Sequence, residues 1–356
     1  MRRRMAEPTP HEATARTRRR RIIVLAGLVL VLVFLPLVAL TIRVLTPMPA
    51  PPQNLPIRNG YDDLLAAAER TAGAQISSFR VGTATPEELR ASIKRVGIDI
   101  PSVRRAVRSD ASVPIDYVNG THPLWDEEQG VLSSFGGFGS LAEILVEDAY
   151  LRALSDDIDS AWDAYLDAFR LAELLGRDGI DVDEEESTYV EAMASAGIQD
   201  SLPLLAERTN PQTYRHVIGV LLAYDAKRNS LEQIADRAWI WAYNSKLPSE
   251  RLQWLLLEWD SEYTHRSQLD LDYIDDLRWM VQSATRHLIC ELGVHCYVAE
   301  QGRLPDLLDG LVPDILPSIP VDPRTDMPFT YERRSDTRYQ VGDPDYWSAT
   351  RIDLPL

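Results

Sequence analysis

Twenty-one consecutive residues without a charge, Ile22 to Ile42, follow an arginine-rich head and constrain this chain more than any other feature. A helix of that length reaches about 31 Å, the thickness of a bilayer's hydrocarbon core. The stretch therefore reads as a transmembrane helix over 22–43. Arg16, Arg18, Arg19, Arg20 and Arg21 precede it, with Arg2, Arg3 and Arg4 further out, so the positive-inside bias keeps a basic tail, 1–21, in the cytoplasm. Everything after Arg43 is then extracytoplasmic, and the address is the cytoplasmic (inner) membrane, crossed once. A secretory signal has a shorter apolar core, about 7 to 15 residues, and a small-x-small cleavage site, so length favours an uncleaved anchor. Pro36 is tolerable within a span. Five prolines between Pro47 and Pro56 make 44–57 an extended spacer that should hold the next segment off the membrane.

The first 21 residues hold eight arginines against Glu7 and Glu12, a local +6, which leaves −23 on the rest of a chain of net charge −17. Such a body is a poor nucleic-acid binder, would be repelled by anionic lipid surfaces, and suits solubility or a basic or cationic partner. Its 45% hydrophobic content and eight tryptophans are ample for a packed core.

Helix punctuation recurs along the body. Thr85-Pro86-Glu87-Glu88 supplies an N-cap, a proline at the first helical position and a capping-box glutamate, with Gly97 as the stop. Ser140 with Glu143 and Ser230 with Gln233 repeat the box, and Asn210-Pro211 opens another helix. Apolar residues recur at three and four, giving helices near 60–74, 86–96, 141–154, 159–175, 184–207, 211–228, 231–245, 249–263 and 271–301. The expected fold is mainly α: a helical extracytoplasmic domain over 58–301 of irregular helical hairpins, then a small α+β module over 302–356 with a two-stranded hairpin. Ala149, Ala161, Tyr165 and Ala168 place small residues and one aromatic where two antiparallel helices touch, which resembles a tetratricopeptide hairpin, although the 34-residue pattern does not recur.

After Gly302 the chain reads Leu304-Pro305-Asp306-Leu307-Leu308, Leu311-Val312-Pro313, Ile319-Pro320-Val321-Asp322-Pro323, then two short β-type runs, Phe329 to Glu332 and Arg338 to Gly342. This order is similar to the carboxy-terminal region of type II secretion major pseudopilins over residues 290–345. No prepilin peptidase site is visible. Taken whole, the chain resembles uncharacterised bacterial membrane-anchored proteins with a helical body and this ending, which implies location and architecture without an activity.

His287, Cys290, His295 and Cys296 are the one cluster of ligand-type side chains. On a helix they point to about 0°, 300°, 80° and 180°, so they cannot share a metal, and Cys290 and Cys296 lie beyond disulfide reach at about 9 Å. Two unpaired buried thiols and a core histidine with a hydrogen-bond partner, His295, are expected. The carboxylates Asp181, Asp183, Glu184, Glu185 and Glu186, and again Asp270, Asp272, Asp275 and Asp276, read as solvated helix starts that favour the macrodipole. Asp322, Asp343 and Asp345 sit where some pseudopilins hold calcium, but no ligand set can be assigned from the sequence. Gly136-Gly137-Phe138-Gly139 lacks the Lys-Ser/Thr of a phosphate loop and reads as a flexible connection. Trp239, Trp241, Trp254, Trp259 and Trp279 read as inter-helix packing. No Gly-x-Ser-x-Gly, His-Glu-x-x-His or Cys-x-x-Cys occurs. The sequence thus names no catalytic residue, cofactor or metal ligand. Its leading reading is a tethered protein acting through protein or envelope contacts; a carboxylate-based hydrolase and an accessory of an envelope secretion system are the alternatives. A pair of carboxylates forced into an apolar helical stripe would favour the hydrolase, and none stands out.

Overall fold

The computed structural model describes residues 10–53, 55–57, 59–72, 84–126, 131–132, 136–257, 261–342 and 350–353. Helix α1 (Pro10–Leu45) carries the apolar run, and its segment Arg21–Leu45 is long and apolar enough to cross a membrane, with none of its most apolar window buried in the protein. Short helices α2 (Tyr61–Ala72), α3 (Pro86–Val96) and α4 (Ile100–Arg108) lead into the central layer. That layer is α5 (Gly137–Leu154), α6 (Ile158–Arg177) and α7 (Asp181–Ala206), each packed against the other two. Helices α8 (Pro211–Asp225), α9 (Leu231–Asn244), α10 (Pro248–Leu257) and α11 (Ser261–Gln301) follow, with α11 lying across α7 and α8.

Local chemistry sets many of these boundaries. Thr85 accepts from Glu88 N–H while Glu88 reaches back to Thr85, and Gly97 ends α3 at φ 67°, a conformation that side chains resist. The Ser230 and Gln233 box and the Asn210 cap form as expected. Ser140 does not cap: α5 begins three residues earlier, and the glycines before Ser140 are its first turn. A Cβ on Gly137 would sit 2.7 Å from the Ala68 carbonyl oxygen, and one on Gly139 would run into the Tyr189 ring. The segment from Gly137 is therefore a buried close-approach point between α5 and α2 rather than a flexible connection. Helix α4 is additional to the expected helices: Gly97 ends α3, and Pro101 opens a new helix that starts three residues on, with Ile100, Val103, Ala106 and Val107 on its buried face.

At the other end, a 3-10 turn (Leu308–Leu311) precedes the strands β3 (Thr330–Arg333), β4 (Arg338–Gly342) and β5 (Thr350–Asp353). A two-residue pair, β1 (Trp125–Asp126) with β2 (Val131–Leu132), stands apart. The expected hairpin of β3 and β4 is present, with Tyr331 opposite Val341 and Arg333 opposite Tyr339, and β5 adds a third antiparallel strand to it. Phe329, Tyr339 and Val341 are buried and Tyr331 half-buried on one face, as period-two alternation requires. They join Leu304, Leu308, Leu311 and Leu316 in the same continuous core as Leu288, Leu292 and Val294 of α11.

The spacer after α1 departs from expectation. Val44 is buried, Tyr243 donates to the Arg43 carbonyl at 2.5 Å, and Asn244 takes both the N–H and the C=O of Met48, at 2.8 and 3.0 Å. Proline has no N–H to offer, but Met48 stands between Pro47 and Pro49 with both backbone groups free, and one amide side chain satisfies the pair. The body is thus held against the end of α1.

Candidate functional site

The acidic start of α7 is where structure and sequence disagree most. Asp183, Glu184 and Glu186 are buried, because α5, α6 and α11 surround α7 and leave its first turn little solvated face. Asp183 reaches back to the Ile180 N–H at 2.9 Å, the N3-to-cap bond that helix starts use, and it also meets His122 Nε2 at 2.9 Å. His122 Nδ1 accepts from Leu124 N–H at 3.1 Å, so Nε2 carries the hydrogen toward Asp183 and neither ring nitrogen is left to act as a base. Glu186 accepts from Gly136 N–H; burial raises its carboxyl to about 7. Glu184 faces Arg278 at 2.8 Å, and burial raises its carboxyl although Arg278 and Arg228 oppose the shift.

Further buried carboxylates were not singled out in the sequence. Asp167, on α6, has no exposed surface and is gripped by Arg104 at 2.6 Å, Arg108 at 2.7 Å and Arg170 at 2.6 Å. Glu191 takes Arg228, the Tyr224 hydroxyl at 2.7 Å and the Thr285 hydroxyl. The sequence carries little signal for Asp167: it stands one turn from Asp163 and Arg170, beside the polar stripe of α6, where a solvated carboxylate would read the same.

Next to this layer a cavity of about 290 Å³ opens between α6, α7 and α8, lined by Glu173, Arg177, Glu184, Tyr224, Lys227 and Arg228. Two hollows of about 480 and 510 Å³ adjoin it through the shared residues Glu173 and Lys227, one bounded by Arg108, Asp163 and Arg170, the other by Arg215 and His216. Together they form a trough along α6 and α8. Arg170, Glu173 and Arg177 follow one another at helical spacing on its α6 wall. Gly219 and Ala223 keep the α8 wall low, and a Cβ on Gly219 would meet nothing within 4 Å.

Six cationic side chains, Arg108, Arg170, Arg177, Arg215, Lys227 and Arg228, line the trough with Asp163, Glu173 and Glu184; behind the wall Asp167 pairs with Arg108 and Arg170, Glu300 with Arg215, and Glu191 and Asp225 with Arg228. Glu173 is the hub: Lys227 lies 3.0 Å and Arg177 3.1 Å from it. Burial pushes its carboxyl up, but those two cations outweigh it and the net shift is downward. Lys227 and Arg177 remain about half exposed, so their charge is presented to the trough.

The remaining sequence candidates lie elsewhere. Cys290 and Cys296 are free and buried as expected, and burial raises both thiols, Cys296 to about 11. His287 meets the Val341 carbonyl at 3.1 Å. His295 is in the core, stacked on Tyr214 and edge-on to Tyr339; its Nε2 has no hydrogen-bond partner among the described residues, and burial lowers the ring to about 4. Asp272, Asp275 and Asp276 are solvated, but α11 starts at Ser261, so they lie within the helix. Asp322 is fully buried, and its oxygens accept from Ser283, Arg324 N–H and Thr325, which is the chemistry of a turn-organising carboxylate. Burial pushes its carboxyl up, and those hydrogen bonds more than reverse the effect. Asp343, Asp345 and Trp259 lie outside the described residues, and the side chains of Trp254 and Asp270 do as well. Trp239, Trp241 and Trp279 are half-buried, with Trp241 edge-on to His122 and Trp279 under the Arg324 guanidinium. Among the described residues no group of three or more His, Cys, Asp or Glu is arranged to hold a metal ion. No family model, curated protein or solved structure matches the chain, so what the trough does has to be read from its own side chains.

Proposed function

We propose that this chain is a membrane-tethered, extracytoplasmic helical protein that works by binding another component of the envelope, with the trough between α6 and α8 as the binding surface. The observation that carries this reading is the cationic lining of that trough on a body of charge −23. The whole-chain charge suggests a basic partner, but contact is governed by the local field, and here it selects an acidic peptide segment. The tetratricopeptide-like pairing of α5 with α6 and the pseudopilin-like ending support the same class of role, including that of an accessory to an envelope secretion system. The arginine head before α1 supports a cytoplasmic amino terminus.

The test is photo-crosslinking in intact cells from a residue analogue at Val220, inside the trough, in the full-length protein. A discrete crosslinked partner that disappears in Lys227→Glu and Arg177→Glu variants of unchanged thermal stability is expected. Crosslinks indifferent to both charge reversals would overturn the reading.

One observation favours the hydrolase alternative. Glu184 and Glu173 line a single cavity with their carboxyl groups shifted in opposite directions, as an acid and a base require. Against it, Glu184 is engaged by Arg278 and Glu173 by two cations. A hydrolytic activity of the purified protein toward glycosides or esters, abolished by Glu184→Gln and by Glu173→Gln alike, would establish it in place of the binding role.

A further inference from the structure

Helix α1 leaves its span already fastened to the body. Leu40 and Val44, one turn apart, are the two α1 positions between Ile22 and Leu45 drawn out of full exposure among the described side chains, and α10 packs against this helix. Just beyond, the Tyr243 hydroxyl holds the Arg43 carbonyl, and Asn244 holds Met48 and, at 2.6 Å, the Tyr117 carbonyl. Gly120 approaches Ser245 so closely that a Cβ would lie 2.2 Å from its backbone. The turn after α9 and the loop 117–120 are therefore pinned to the chain between Arg43 and Met48.

Their height follows. The uncharged run ends at Ile42, so the Arg43 carbonyl stands at the edge of the hydrocarbon. From Arg43 to Leu45 the helix rises by only about 3 Å, whereas the headgroup layer of each leaflet is roughly 5 to 8 Å deep. The junction presents three aliphatic side chains to solvent among polar neighbours: Val118, Leu247 and Leu252 are 57%, 64% and 37% exposed. Of the charges beside them, Arg251 is buried, donating to the Tyr243 and Asn244 carbonyls at 3.1 and 2.8 Å, while Glu250, which accepts from Leu247 N–H at 2.8 Å, and Asp116 stay exposed, as side chains at headgroup depth can.

We propose that the turn between α9 and α10, with the loop 117–120 beside it, is a second membrane contact that seats Val118, Leu247 and Leu252 in the headgroup layer where α1 ends. It rests on the reading of α1 as a membrane-spanning anchor. Lipid is the occupant because the patch is continuous with the end of the span and hydrogen-bonded to it. Two contacts instead of one prevent the body from swinging on its tether, so the trough keeps a fixed orientation to the membrane.

The full-length protein, reconstituted in phosphatidylcholine vesicles, tests this with a nitroxide on one introduced cysteine at a time. The positions are Leu30→Cys in the span, Val118→Cys and Leu247→Cys at the junction, and Met327→Cys on the exposed C-terminal segment; Cys290 and Cys296 are buried and do not label. Relaxation by oxygen, which concentrates in lipid, is compared with relaxation by a water-soluble nickel chelate. The oxygen-to-nickel ratio should be highest at 30, lower but several-fold above that of 327 at 118 and 247, and lowest at 327. Ratios at 118 and 247 equal to that at 327, with 30 in lipid, would overturn the membrane contact and leave the anchor standing. A ratio at 30 equal to that at 327 would overturn the anchor and the contact together. Labels at 118 and 247 shielded from both reagents would mean that protein, not lipid, covers the patch.

Discussion

The central layer of α5 to α7 and the C-terminal segment 303–342 bury comparable kinds of side chain but are joined to the rest of the molecule differently. In the central layer the long-range links include charges: Asp167 is met by Arg104 and Arg108, 63 and 59 residues away, and Glu191 by Arg228 and Thr285. Among the described residues the C-terminal segment is joined to the body without an ion pair: Ser283 donates to Asp322 and Arg286 to the Val321 carbonyl, while Leu311 and Leu316 pack over Gly293 of α11. A buried ion pair adds little net stability, but removing one partner leaves a charge with nothing to compensate it. An apolar contact has no such asymmetry and fails locally. The two regions should therefore respond to damage differently, one globally and one piecemeal.

The largest effect is expected from Asp167→Ala, which strands Arg104, Arg108 and Arg170 around an empty site and should cost about 3 to 5 kcal/mol of global stability. Urea unfolding followed by circular dichroism checks this; a loss below about 1 kcal/mol would mean that the arginines simply turn to water. Next is Leu308→Asp, where loss of a buried leucine and entry of a charge should cost about 3 kcal/mol. This loss should be local: limited proteolysis should release the segment after Gly302 while the helical signal of α5 to α8 persists. Unfolding of the whole protein in one step would show that the segment belongs to the body's cooperative core.

Glu186→Gln sharpens the comparison within the central layer, because Glu186 has a backbone donor where Asp167 has three arginines. Its folded carboxyl is raised to about 7 from an ordinary 4.5. Between those values the folded state binds the proton and the unfolded state does not, so stability is greatest at low pH and falls as pH rises through the window. At about 1.4 kcal/mol per unit, the loss above pH 7 is on the order of 3 kcal/mol at most. The glutamine variant should match wild type near pH 4, exceed it at pH 8 and flatten the slope between, as denaturant midpoints across pH would record. An unchanged slope would mean that Glu186 is already ionised at pH 5.

Much of the helical scaffold was legible because its signals are local. Thr85 with Glu88, Asn210 with Pro211, and Ser230 with Gln233 fix helix starts within four residues, and no distant partner alters that chemistry. The trough was not legible. Glu173 and Arg177 pair at helical spacing within α6, but nothing near Lys227, 54 residues on and beyond α8, marks Glu173 as its partner too. Nor did the run Asp181 to Glu186 reveal its burial, since an acidic helix start looks the same in water as under three other helices.

The sequence by itself determined an apolar helix long enough to cross a membrane, the helical character of the body, the free thiols and the alternation of the terminal hairpin. Each depends on the order of residues within a few turns or one strand. Only the tertiary structure decided which charges are buried, how cations gather on an acidic protein, and that Asn244 fastens Met48 to the body across 196 residues. Those outcomes depend on which surfaces meet, and the free energy of a charge is set by the solvent it loses and the partner it gains there.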